Sequence, residues 1–104
     1  MKTKLSLILA FSLAASLALG AATVRIVQTN AAGDSVMLID PVTNKVVGEI
    51  KGIEVNHGAA VAPDGSKFYI TNEAESTLDV ADAKTLAVAK NIPLTNHPNN
   101  VAVS

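Results

Sequence analysis

The chain matches itself, without a gap, when Val24 is laid over Ser66. Residues 24–62 then lie over residues 66–104, and nine of the 39 aligned pairs are identical. The matches keep one register and fall at turn and core positions. A self-similarity of this period indicates stacked copies of one supersecondary unit. We therefore predict a repeat region over residues 23–104, with repeat 1 at about 24–62 and repeat 2 at about 66–104.

Each copy has the residue pattern of short β-strands. Alternation and apolar runs predict strands at residues 58–62, 66–71, 76–81 and 87–92, and no helical stripe follows residue 22. In the third of these strands, alternation puts Asp79 on the face opposite Leu78 and Val80, where we expect it to be solvated. Four strands in each repeat match one antiparallel β-propeller blade, which has about 40–45 residues.

Turn residues separate the predicted strands. Pro63, Asp64 and Gly65 suit a tight hairpin, because proline fixes φ and glycine accepts a positive φ. Asp40 and Asp82 each follow a strand, where the side chain can bond a backbone N–H two residues on.

Tyr69, Ile70, Thr71 and Asn72 resemble the signature that names the YVTN-type β-propeller repeats, and residues 27–30 resemble a weaker copy. The flanking residues agree with this resemblance over essentially all of residues 24–104, although Ala81 and Leu86 depart from the first copy. The resemblance implies an all-β fold of antiparallel four-stranded blades, in exported or surface proteins with six to eight blades.

The predicted strands account for about two blades, an incomplete ring. With strands named A to D from the axis outward, the chain reads B-C-D, A-B-C-D, A, and the last strand ends at Ser104. Three explanations compete: a truncated product or fragment, a homo-oligomer in which strand A of one subunit completes the next, or a β-sandwich of eight strands. The sandwich explains the strand number but not the repeat, and we favour the fragment.

Residues 1–22 have the pattern of a secretory signal peptide. A basic start is followed by a short apolar helix and small residues, with cleavage expected before Ala21 or Thr23. An uncleaved membrane anchor is the alternative, and the absence of cysteine excludes a lipoprotein. We therefore predict a periplasmic or extracellular protein, in contact with the membrane only through an uncleaved leader.

Charge and composition exclude some partners. Without Lys2 and Lys4, six basic and nine acidic residues remain, a net charge of −3. Binding to a phosphate backbone needs a clustered positive field, so no nucleic-acid partner is expected. The absence of cysteine also excludes disulfides and thiolate metal sites.

Polar residues that recur in both copies are predicted to be structural. A catalytic centre on a propeller is usually asymmetric, whereas turn chemistry recurs in each blade, and Asn and Asp at strand ends hold turns. These residues are Thr29, Asn30, Asp40 and Thr43 in repeat 1, with Thr71, Asn72, Asp82 and Thr85 in repeat 2.

The candidate ligand-binding residues are unduplicated polar residues in the two D–A connections: Asn56, His57, His97, Asn99 and Asn100. Such connections open beside the central channel of a propeller, and two imidazoles could coordinate a metal or bind an anion. The competing interpretation, which we favour, is solvated loop residues, because no nearby cysteine or carboxylate supports a metal site.

No catalytic constellation is visible. The acidic stretch from Glu73 to Ser76, with Asp79, lacks the spacing of a calcium loop and is predicted to be a solvated B–C loop. The leading function is an exported binding or scaffold module with an unknown ligand or protein partner and no cofactor, which we favour over an enzyme although the sequence leaves enzymatic activity open. The alternatives are a subunit or fragment of a periplasmic oxidoreductase or electron-transfer protein, and a non-functional remnant.

Overall fold

A computed structural model describes residues 23–104 as seven β-strands in two antiparallel sheets. Sheet 1 has the order β1–β2–β3, and sheet 2 has the order β4–β5–β6–β7. The strands are β1 (Ile26–Gln28), β2 (Ser35–Asp40), β3 (Lys45–Lys51), β4 (Asn56–Val61), β5 (Lys67–Asn72), β6 (Thr77–Asp82) and β7 (Val88–Pro93). The predicted all-β fold of antiparallel, blade-like sheets is confirmed.

The predicted signal-peptide helix lies outside the described residues. Between residues 23 and 104, no helix has the length and hydropathy that crossing a membrane requires.

The two sheets share one hydrogen-bonding register. Val27 pairs with Leu38 in sheet 1, and their equivalents in the second repeat, Tyr69 and Val80, pair in sheet 2. The β-bulge recurs in the same way, after Leu38 in β2 and after Val80 in β6. The repeat is therefore structural, because it sets which residues pair and not only which residue types occur.

The prediction of a last strand ending at Ser104 is wrong for this structure. Residues 94–104 form no strand, and the described part of the chain has seven strands rather than eight. A strand exists only through its ladder partner, and no strand of residues 23–104 pairs with this segment. The other predicted strands form, each shifted by one or two residues.

The core lies between the two sheets. Its buried apolar side chains come from both sheets and from the turn after β3: Val36, Leu38, Ile50, Ile53, Phe68, Ile70 and Ala81. Alternation along each strand sends these side chains to the inner faces. The sheets are thus held mainly by apolar contact, and neither sheet has a core of its own.

Asp79 corrects the expectation of a solvated side chain. It is fully buried on the inner face of sheet 2. Its carboxylate accepts hydrogen bonds from Asn72 Nδ2 at 3.0 Å, Thr77 Oγ1 at 2.6 Å and Asn91 Nδ2 at 2.7 Å. This face of sheet 2 packs against sheet 1, so the polar position of the alternation is buried between the sheets and not solvated. Asp79 is satisfied by three neutral donors.

Leu86 fits the second sheet against the first. A Cβ added to Gly48 of β3 would lie 2.7 Å from Leu86 Cδ1, so Leu86 fills the space that glycine leaves. Leu86 adopts a positive φ of 58°, as does Asn44 at the equivalent turn of repeat 1, with a φ of 56°. Asparagine tolerates this conformation better than leucine, so the packing against Gly48 accompanies local backbone strain.

The turns between strands are closed by aspartate side chains. Asp40 Oδ1 accepts from Val42 N at 2.8 Å, and Asp82 Oδ1 accepts from Lys84 N at 2.8 Å. In the hairpin between β4 and β5, Asp64 Oδ1 accepts from both the hydroxyl and the backbone N–H of Ser66.

These turns predict a specific loss of stability in acid. The Ser66 hydroxyl lowers the pKa of Asp64 below its ordinary value, and the backbone N–H of Thr85 does the same for the pKa of Asp82. A carboxyl whose pKa is lower in the folded state stabilises the fold above its unfolded pKa, near 4, and loses that contribution as the pH falls through the folded pKa.

We expect the double variant Asp64→Asn/Asp82→Asn to show a shallower fall of the thermal midpoint between about pH 4 and pH 2 than the wild type. The effect is small because Asp64 is exposed and Asp82 is only half-buried, so solvent screens both carboxylates. Identical slopes for the two proteins, measured by circular dichroism, would contradict the prediction.

Candidate functional site

Three titratable side chains meet at one end of sheet 2. His57 is the second residue of β4, Glu73 directly follows β5, and His97 lies in the segment after β7. The antiparallel pairing of β4 with β5 places Asn56 opposite Asn72, so His57 and Glu73 lie diagonally across the strand pair, within reach of each other's long side chains.

Glu73 lies between the two imidazoles. Its Oε2 atom is 2.5 Å from His57 Nε2, a hydrogen bond, and its Oε1 atom is 3.7 Å from His97 Nδ1. The side chains of His57 and Glu73 are 28% and 29% exposed, and that of His97 is 69% exposed. We call this group the His–Glu–His cluster. His57 and Glu73 are half-buried in it and hold each other in place, and His97 is exposed at its edge.

The backbone under Glu73 is fixed by a strained residue. Val55 adopts a φ of 48°, which is unfavourable for a β-branched side chain. It is held by two hydrogen bonds, from its own N–H to Gly33 O at 3.1 Å and from Glu73 N–H to its carbonyl at 3.3 Å. Strain of this kind persists where the surrounding structure holds the backbone in place. Here the two hydrogen bonds of Val55 connect the loops of both sheets beneath the cluster.

The surrounding loop face is acidic. Asp34, Glu54 and Glu75 are exposed there, in the same set of loops as Glu73. A shallow depression of about 400 Å³ on this face is lined by residues 31–34, Glu54 and Val55. The loops of this face contain no lysine or arginine within residues 29–34, 52–57, 73–76 and 94–99. The electrostatic field at the His–Glu–His cluster therefore disfavours anions.

Asn56 is placed differently from the other candidates. It is fully buried, and its Oδ1 accepts from Asn30 N at 2.6 Å. Its Nδ2 donates to Ile53 O at 2.7 Å and to Ser35 O at 3.3 Å. With three main-chain partners, Asn56 joins sheet 1 to the start of β4 and presents no polar group to solvent.

Asn99 and Asn100 are exposed, and it is their backbone that makes close contact. A Cβ added to Gly58 would lie 2.9 Å from Asn100 Cα and 3.0 Å from Asn99 O. Only glycine allows this approach of the chain to β4. The segment after His97 is thus positioned by backbone packing beside the cluster.

The recurring polar residues of the second repeat lie at strand ends and make local bonds. Thr71 Oγ1 accepts from Gly58 N at 2.8 Å, and Asn72 Oδ1 accepts from Glu75 N at 3.0 Å. In the first repeat, Asn30 Oδ1 accepts from Ala32 N at 3.3 Å. These bonds shape the loops that carry the cluster.

The apolar groove between the sheets opens at the other end of the strands. It has a volume of about 500 Å³, and Val27, Val61, Phe68 and Leu86 line it among others. No histidine or carboxylate lines this groove, so its chemistry is separate from that of the His–Glu–His cluster.

Glu73 was not among the residues predicted from the sequence. The prediction that no nearby carboxylate supports the histidines is wrong, because Glu73 lies at hydrogen-bonding distance from His57. The available signal was the predicted pairing of strands A and B, which brings the start of one beside the end of the other. Even so, residues 23–104 hold no group of three or more histidine, cysteine or acidic side chains arranged to bind a metal.

The fold and the loop face define a class: stacked antiparallel sheets of the blade type that present polar loops at one end. No family model matches the sequence, and no curated protein is significantly similar to it. Among solved structures, hydrazine synthase of Kuenenia stuttgartiensis is similar, with a TM-score of 0.69 and 29% sequence identity. The similarity covers 73% of this chain and 22% of that chain, so the matched region is a small part of the larger protein.

Proposed function

We propose that the protein is an exported binding module built from YVTN-type β-propeller blades, and that its ligand binds at the His–Glu–His cluster. The observation that carries this proposal is the position of Glu73 between two imidazoles on one loop face. The repeat register supports the propeller assignment, because each sheet supplies strands in the order that a blade requires.

The cluster suits a ligand that is neutral or positively charged. Glu73 supplies two acceptor oxygens, and each imidazole supplies a donor and an acceptor when neutral. The three exposed carboxylates nearby, those of Asp34, Glu54 and Glu75, add negative potential. A rigid β framework beneath variable loops is the usual arrangement of a binding site of this type.

Titration with Zn²⁺ tests whether the three side chains act together on one ligand. Zn²⁺ is the probe because imidazole nitrogen and carboxylate oxygen both coordinate it, and binding requires the hydrogen bond between His57 and Glu73 to open. Because the three side chains are not arranged as a metal site in residues 23–104, they must rearrange around the ion, and we expect weak binding of one Zn²⁺ by calorimetry. The affinity should fall by about tenfold or more in Glu73→Gln and in His57→Gln.

Glu75→Gln is the matched control. It removes a carboxylate from the same loop, and Glu75 makes no contact with either imidazole among the ion pairs of the described residues. Its affinity for Zn²⁺ should fall far less than that of Glu73→Gln or His57→Gln, because only a screened nearby charge is lost. The proposal fails if the wild type does not bind Zn²⁺, or if all variants bind it equally well.

A second candidate function is favoured by the similarity to hydrazine synthase over 73% of this chain. In this alternative the chain supplies blades to an enzyme assembly of the periplasmic oxidoreductase type. Visible absorbance and metal content of the protein isolated from its own cells separate the two functions. A bound chromophore or redox metal in stoichiometric amount would support the enzyme assembly, and a colourless protein without a redox metal would support the binding module.

A further inference from the structure

Sheet 1 lacks a counterpart of β4. In sheet 2, β4 covers the edge of β5, whereas no strand of residues 23–104 pairs with the corresponding edge of β1. The residues equivalent to β4 in the next repeat are 98–103, and they are held against Gly58 without strand pairing. The structure thus has a strand edge without a described partner, and a β4-like segment without one.

We propose that residues 101–103 of one copy of this chain pair with β1 of a second copy. The repeat fixes the register. Ala59, Ala60 and Val61 of β4 pair with Ile70, Tyr69 and Phe68. The repeat equivalents of these β4 residues are Val101, Ala102 and Val103, and the equivalents of their partners in the first repeat are Gln28, Val27 and Ile26. The three intermolecular pairs are therefore Val101 with Gln28, Ala102 with Val27, and Val103 with Ile26.

The sheet faces agree with this head-to-tail arrangement. Inside the chain, the face of sheet 1 that carries Val36 and Leu38 packs on the face of sheet 2 that carries Phe68 and Ile70. Alternation puts Tyr69, Leu78, Val80 and Ile92 on the opposite face of sheet 2, where Val80 is buried and the other three are half-buried. These four are the equivalents of Val27, Val36, Leu38 and Ile50 in sheet 1.

The far face of sheet 1 offers the complementary surface. Ile26, the equivalent of Phe68, is 49% exposed there, and Met37 and Ile39 on the same face are half-buried. A second copy would repeat the packing that already exists between the two sheets of one copy. Because the two surfaces differ, the contact is heterologous and closes into a ring when the rotation allows it. Rings of about four to eight blades need about two to four copies.

One further bond follows from the same register. In sheet 2, Thr71 Oγ1 accepts the N–H of Gly58. The equivalents are Thr29 and Asn100. Pairing between copies therefore brings the N–H of Asn100 from one copy to the Thr29 hydroxyl of the next.

Engineered cysteines test the pairing directly, since the natural chain has none. Two full-length chains with different tags carry one cysteine each, Gln28→Cys in one and Val101→Cys in the other. The Cα atoms of opposite residues in an antiparallel pair lie about 4.5–5.5 Å apart, and a disulfide joins residues whose Cα atoms are about 4.4–6.8 Å apart. After mixing and mild oxidation, we expect a disulfide-linked heterodimer on a non-reducing gel.

Two controls keep the outcome specific. Each single-cysteine chain oxidised alone should give much less dimer than the mixture, because the same residue of two copies does not meet in a heterologous contact. Adding Ala102→Pro to the Val101→Cys chain removes a backbone donor from the pairing segment and should abolish the heterodimer. Circular dichroism of each variant verifies that the fold is retained.

Light scattering of the wild type gives the second measurement. A mass of two or more copies, together with the heterodimer, supports the proposal. A folded monomer without heterodimer overturns it. The result does not depend on the His–Glu–His cluster, so it stands or falls separately from the binding function.

Discussion

Replacing Asn56 with leucine should destabilise the fold by at least about 2 kcal/mol, the cost of leaving buried backbone groups unpaired. The substitution removes the acceptor of the Asn30 N–H and both donors to the carbonyls of Ser35 and Ile53. None of these groups gains a partner from leucine. Chemical denaturation measures the difference in free energy of unfolding between the wild type and the variant, provided that both free energies depend on denaturant concentration with the same slope.

Asn96→Leu is the control for this experiment. Asn96 is exposed in the segment after β7, and its substitution should change the free energy of unfolding by less than about 0.5 kcal/mol. Equal effects of Asn56→Leu and Asn96→Leu would contradict the role of Asn56 in joining the two sheets. Loss of Asn56 should also disturb its neighbour His57, and with it the cluster.

The substitution Asp79→Asn should cost about 1–3 kcal/mol, although it changes one atom and hardly alters the volume. One carboxylate oxygen accepts from Thr77 and Asn91, and the other accepts from Asn72. An asparagine at this position has only one side-chain oxygen to accept these bonds. If that oxygen accepts from Thr77 and Asn91, the new NH₂ group faces the Nδ2 donor of Asn72. Asn72 cannot turn its Oδ1 towards it, because that oxygen already accepts the N–H of Glu75. Thermal and chemical unfolding both report the loss.

Met37→Leu provides the matched comparison, since Met37 stands in β2 where Asp79 stands in β6. Exchange of apolar side chains of similar volume costs less than about 1.5 kcal/mol. If Asp79→Asn lowers the free energy of unfolding by no more than Met37→Leu does, the three donors find other partners. That result would contradict the importance of the buried carboxylate.

Much of the fold follows from local rules in the sequence. The register of the repeat predicted which residues occupy equivalent places, and Asp82 and Gly65 marked turns that the structure contains. Strand limits were shifted by one or two residues because alternation fixes the facing of a strand better than its ends.

The candidate site was only partly predictable. Sequence placed His57 and His97 on one face, but only the predicted pairing of strands A and B could have joined Glu73 to them, since the three residues lie far apart along the chain. Asp79 was misjudged for a related reason. Alternation identifies two faces of a strand but does not say whether the polar face meets water or a second sheet, and that depends on the stacking of whole sheets.

The common register of the two sheets has a consequence for how such a chain can change in length. Insertion or duplication of one whole repeat at a turn leaves every remaining strand pair, bulge and inward-facing side chain in place. An insertion within a strand that shifts its pairing by one residue reverses which side chains face the core. Gene duplication can therefore enlarge this protein only by whole repeats, so its possible relatives should differ in steps of one blade.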